Sequence, residues 1–142
     1  MQIKDEFIFI DEDLKSKEDI FSFLENVLIK GEIGNKDFID SMKQRDKTAS
    51  VAIGNYLAIP HCDYSFSSNI KKQELVFIKL KNKVMWDENE VLFVIALILK
   101  NEGQLEILAN IGITFSDEDL VLEFHKNLTK KEQVNKFIEE NS

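Results

Sequence analysis

Two histidines and one cysteine are the residues of this 142-residue chain best suited to nucleophilic chemistry. Ala58, Ile59, Pro60 and His61 form an apolar run that delivers one of those imidazoles directly behind the only proline. A residue of fixed φ followed by an imidazole at the mouth of a buried segment suits a nitrogen that must meet a reactant in one orientation. On spacing alone a packed or surface histidine is the commoner outcome. His125, beside Lys126 near the end of an expected helix, reads as a surface cation that complements the helix dipole. Cys62 adjoins His61, yet burial as a small hydrophobe is the usual fate of a free cysteine. The acid pairs Asp117–Glu118 and Glu139–Glu140 fall at expected solvated helix ends.

Other chemistries lack their residues. His61, Cys62 and His125 form no spaced ligand cluster, so no metal site is expected. There is no G-x-S-x-G elbow for a serine hydrolase, and the five glycines make no phosphate-cradling loop. No cofactor is expected.

The elements that would position these side chains can be traced along the chain. Residues 7–10 read as a short strand or an apolar anchor. Ser16 opens a helix, with Asp19 where a carboxylate favours the N-terminus. Ile20, Phe21, Phe23, Leu24, Val27 and Leu28 recur at helical spacing as its core face. Gly31 and Gly34 punctuate its end, and Asn35 caps a second helix with a Phe38, Ile39 and Met42 stripe that runs out near Arg45. Residues 50–55, 57–59, 75–80 and 91–99 carry the β-branched and aliphatic runs of strands. The last lacks alternation, as a central strand covered on both faces should. Trp86 reads as an anchor at a strand end. From Gln104 the pattern is helical, with Leu105, Leu108 and Ile111 on one face; Ser116 caps a helix reaching Lys126, and Thr129 caps a final helix with Val134, Phe137 and Ile138. This order predicts one α/β domain, a mixed sheet of about five strands flanked by helices.

Composition narrows the partners. At 16.5 kDa, 44% hydrophobic and 31% charged, the chain has the make-up of one globular domain. A net charge of −8 disfavours nucleic acid and anionic membranes and favours partners with a basic docking face. A lone cysteine, a beginning with five acids among residues 1–13, and a longest apolar run that stops at Lys100 predict a cytoplasmic protein with no membrane insertion.

The segments Phe38 to Asp46 and Ile53 to His61 resemble the enzyme IIA domain of the mannitol/fructose branch of the bacterial phosphoenolpyruvate-dependent sugar phosphotransferase system (PTS). In that family an Arg-Glu pair follows a helix and an A-[IV]-P-H segment follows sixteen residues later; here His61 stands sixteen residues after Arg45. Lys17-Glu18-Asp19, Trp86 and Leu105-Glu106-Ile107-Leu108 fall in family order, so the resemblance runs through most of residues 1–142.

The resemblance implies a phosphoryl carrier of type-2 IIA fold spanning residues 1–142, a transferase with a phosphohistidine intermediate. His61 would accept phosphate from the phosphocarrier HPr and pass it to a IIB component for coupled sugar uptake, with any link to a membrane IIC running through IIB. A neutral imidazole nitrogen attacks phosphorus in line, and the phosphoramidate stays labile enough to be handed on. Arg45 would offer forked donors to the phosphoryl oxygens, and Ser50 a hydroxyl. Gln104 stands where the family commonly places a second histidine; its amide can donate a hydrogen bond but cannot become a cation. Asp46 replaces the usual glutamate, a minor change, and Cys62-Asp63 replaces a commonly glycine-containing turn. Gln104 leaves two further readings open. One is a regulatory IIA-like domain, free-standing or from a sugar-responsive transcription regulator, phosphorylated as a signal without onward transfer. The other is a degenerate domain that only binds partners.

Overall fold

The computed structural model describes residues 2–142, so Met1 of the expected domain lies outside the described residues, as do the side chains of residues 101 and 102. Five strands form one mixed sheet: β1 Ile8–Glu12, β2 Ala52–Gly54, β3 Leu57–Ala58, β4 Glu74–Trp86 and β5 Asn89–Ile98, in the order β1-β4-β5-β3-β2. β1 runs parallel to β4 and β3 parallel to β5, while β4–β5 and β2–β3 are antiparallel hairpins. The helices are α1 Lys17–Lys30, α2 Lys36–Thr48, α3 Asn101–Thr114, α4 Glu118–Asn127 and α5 Glu132–Asn141.

Residues 74–80 of β4 and 91–98 of β5 are buried without alternation, which requires cover on both faces. α1 and α2 supply one layer, packed on each other, with Phe21 against Trp86 at 5.3 Å. The other layer gathers α3, α4 and α5 over Phe77 and Phe93, which meet Phe115 and Phe124. Burying an aromatic of this size contributes on the order of 2–3 kcal/mol, so these rings carry much of the fixing of the helices to the sheet.

Several expected boundaries move, each for a local reason. β4 continues past Leu80 to Trp86, because a bulge between Lys79 and Val84 absorbs the exposed Lys81, Asn82 and Lys83 before pairing resumes at Val84↔Val91. α2 runs beyond Arg45 to Thr48, closed by the Ala49 amide donating to the Arg45 carbonyl. Ser16 and Asn35 cap as expected, accepting from the amides of Asp19 and Phe38. At α4 the cap is Asp117, which accepts from the Leu120 amide, while the Ser116 hydroxyl donates back to the Ile113 carbonyl. Thr129 does not cap α5; instead Gln133 reaches back to accept from the amides of Thr129 and Lys130. The left-handed residue after α1 is Glu32 at φ +56°, not either flanking glycine. α3 begins at Asn101, ahead of Gln104, and Leu105 points outward at 78% exposure while Ile111 is buried.

Candidate functional site

The segment from Leu57 to His61 is held from both sides. β3 pairs with β5 through Leu57↔Phe93 and Ala58↔Val94, and His61 extends that parallel pairing to Leu97. On the other side the Ile59 amide donates to the Val51 carbonyl at 2.9 Å. Pro60 has no amide to satisfy, and its carbonyl accepts from Leu97 at 2.9 Å. His61 therefore stands at the C-terminal ends of two parallel strands, where open α/β sheets place their reactive groups.

His61 is 6% exposed, and its Nδ1 lies 2.7 Å from the Ile59 carbonyl oxygen. A carbonyl only accepts, so Nδ1 carries the proton and the lone pair resides on Nε2. Burial lowers the pKa of the ring below 6.5; the bond to Ile59 opposes that shift, the Arg45 charge adds to it, and Asp63 opposes it. The ring is neutral near pH 7, with a nucleophilic Nε2.

Arg45, the chain's only arginine, sits in the last turn of α2, half-buried, with Nη1 donating to the Ala49 carbonyl at 2.7 Å. Its charge is one of those that lower the pKa of the His61 ring, after burial. Ser50 lies next to Val51, but its hydroxyl accepts locally from the Ala52 amide at 3.3 Å. Gln104 lies in the first turn of α3, soon after the strand that pairs with His61, and its Oε1 is buried with no partner among the described residues. Among the described residues no hydrogen bond joins Arg45, Ser50 or Gln104 to His61.

Two residues near the site carry more than the sequence reading gave them. Asp46 is 6% exposed: Oδ1 accepts from the Val51 amide at 3.0 Å and from Trp86 Nε1 at 2.9 Å, and Oδ2 from Lys17 Nζ at 2.8 Å. Burial would raise its pKa, but the bonds from Lys17, Trp86 and Val51 outweigh that and hold it below the usual carboxylate value. The carboxylate at this position is therefore a buried, fully engaged group. Its place on the Ile39–Met42 stripe is the sequence signal, because an acid on an apolar helix face must be buried with partners. Ser41, the second, accepts from the Asp63 amide at 2.9 Å and ties α2 to the chain just past His61, with no such signal. Cys62 is buried, and burial pushes its thiol up to about 11, which leaves it unreactive.

A five-strand mixed sheet with helices on both faces presents one buried imidazole, tied through Nδ1, at the ends of two parallel strands. The family "Phosphoenolpyruvate-dependent sugar phosphotransferase system, EIIA 2" matches residues 1–141, and the chain belongs to it. It is a IIA component of a sugar phosphotransferase system, a phosphoryl-transferring protein. The mannitol-specific phosphotransferase enzyme IIA component of Mycoplasma pneumoniae is 40% identical over 114 residues, 80% of each chain. That of Halalkalibacterium halodurans is 31% identical over 116 residues, 82% of this chain and 80% of the relative. The crystal structure of IIA mannitol from Escherichia coli shares the fold at a TM-score of 0.84 and 20% identity, covering 97% of this chain and 99% of that one. Escherichia coli IIA mannitol in complex with phosphorylated IIB mannitol superposes at 0.83 over 98% of each chain, again at 20% identity. Among the described residues no helix is long and apolar enough to cross a membrane.

Proposed function

We propose that residues 1–142 form one IIA unit whose His61 Nε2 takes a phosphoryl group from phospho-HPr and passes it to a IIB partner. The observation that carries this is the Nδ1 bond to the Ile59 carbonyl, which leaves Nε2 as the nitrogen with no partner among the described residues. In the transfer the Nε2 lone pair forms the new N–P bond as the donor's N–P bond breaks, its electron pair returning to the donor imidazole. The Nδ1 proton stays where it is, and the Ile59 carbonyl stabilises the positive charge that develops on the ring. Arg45 balances charge on the phosphoryl oxygens, with Ser50 and the Gln104 amide as further donors. No cofactor takes part. The site lies in the cytoplasm, and any link to a membrane IIC runs through IIB. The mannitol-specific relatives make mannitol the sugar to test first.

Incubation with phosphoenolpyruvate, enzyme I and HPr should add one phosphoryl mass to the chain and none to a His61→Ala variant. Equal labelling of both, or of neither, would refute the assignment. A signalling reading, with phosphate held rather than passed on, draws on Gln104, which cannot supply the positive charge of a second histidine. Labelled chain mixed with a cognate IIB separates the two: transfer supports the carrier, retention the signal.

A further inference from the structure

We propose that Asp46 is a positioning residue for His61, acting through a hydrogen-bonded series that runs from its carboxylate along Val51 and Ile59 to the imidazole. Each link is short. Asp46 Oδ1 accepts from the Val51 amide at 3.0 Å, the Val51 carbonyl accepts from the Ile59 amide at 2.9 Å, and the Ile59 carbonyl accepts from His61 Nδ1 at 2.7 Å. Beyond Asp46 the series is anchored in two more elements, by Trp86 at the end of β4 and by Lys17 at the start of α1. Lys17 is itself held at 2.8 Å by Asp87, in the turn between β4 and β5.

The geometry makes this more than a structural anchor. Asp46 fixes where Val51 sits before β2, Val51 fixes the register of Ile59, and Ile59 aims the one carbonyl that decides which nitrogen of His61 carries the proton. Adjacent helix residues point about 100° apart, so seating the Asp46 side chain in the core also turns Arg45 out of it. One buried carboxylate thus sets both the tautomer of the acceptor and the direction of its counter-charge, and it touches neither the imidazole nor the phosphoryl group. A carboxylate with three donors around it costs several kcal/mol to break and is rigid for the same reason. A one-ångström displacement at the end of the series is enough to slow a transfer that needs in-line approach.

The inference rests on His61 being the phosphoryl acceptor, and the test separates the two. Nitrogen-15 NMR of the His61 ring reads the tautomer, and labelling from phospho-HPr reads the rate. The wild-type ring is expected as the Nδ1–H form. Asp46→Ala is expected to populate the Nε2–H form and to slow acceptance about tenfold. Asp46→Asn, which keeps an oxygen for the Val51 amide, should restore both. Where Asp46→Ala does not fold, Lys17→Met/Asp46→Ala, which removes the amine that has lost one of its two carboxylate partners, takes its place. Trp86→Phe cuts a different bond to the same carboxylate, and should lower the melting temperature without moving the tautomer.

A wild-type ring protonated on Nε2 would overturn the proposal, as would an Asp46→Ala ring and rate equal to wild type. So would a Trp86→Phe protein whose tautomer shifts as far as that of Asp46→Ala. A wild-type chain that takes up no phosphate while its His61 tautomer still follows Asp46 removes the acceptor assignment and leaves the positioning role standing.

Discussion

The two histidines share more than their separate fates suggest. Each is withdrawn from solvent, each is bonded at 2.7 Å to a backbone carbonyl, and burial lowers the pKa of each. His61 spends Nδ1 on Ile59 and leaves Nε2, the nitrogen far from its own backbone, without a partner among the described residues. His125 spends Nε2 on the Leu80 carbonyl and leaves Nδ1, which lies close to the α4 main chain, while its ring stands edge-on to Phe93. The cation acting on His61 is a half-buried arginine that spends one donor on the Ala49 carbonyl; beside His125 is Lys79, held between Asp11 and the Leu128 carbonyl. Burial and lowered basicity do not distinguish an acceptor from a packed residue. The identity of the tied nitrogen, and whether the neighbouring cation has donors to spare, does.

That contrast is broken most severely at the acceptor itself. His61→Ala should abolish phosphoryl acceptance, while His125→Ala should keep it, both read by mass after incubation with phospho-HPr. Arg45→Ala should slow acceptance about 100-fold with the melting temperature unchanged, and Arg45→Lys should fall between, because a point charge replaces forked donors. His125→Ala removes the ring bond to the Leu80 carbonyl and should cost about 1–3 kcal/mol of stability in a denaturant titration, a loss without a functional counterpart.

Acid should then act on both rings. Their folded pKa values lie below the 6.5 of an exposed histidine, so the unfolded chain takes up protons that the folded chain refuses. Their contribution to stability is full above pH 6.5 and falls as the pH drops through it towards the folded values. A His61→Gln/His125→Gln variant should show a flatter stability profile across that window. The smallest effect is expected at Gln104: Gln104→Ala should change the acceptance rate by only a few-fold, about that of one neutral hydrogen bond.

Features set by neighbouring residues were legible in the sequence: the Ser16 and Asn35 caps, the unbroken burial of residues 91–98, and Trp86 as an anchor. The segment of the proposed acceptor stood out because a proline and a histidine on an apolar run are rare in combination and family spacing tied them to Arg45. Features set by tertiary contact were hidden. The bulge that carries β4 to Trp86 depends on pairing with β5, and the choice of Asp117 over Ser116 depends on which oxygen the helix end meets. The partners of Asp46 come from α1, β4 and the start of β2, so its acidity on an apolar stripe predicts that partners exist but not which ones.

The strand order has a consequence for a chain still on the ribosome. His61 lies three residues beyond β3, on the chain leaving the β2–β3 hairpin, and a two-stranded hairpin is marginal in water. Its parallel neighbour, β5, is residues 89–98, and the pairing of His61 with Leu97 closes only when that strand arrives. Parallel pairing across such a separation forms late. A nascent or prematurely ended chain therefore exposes the same histidine without the scaffold that aims it.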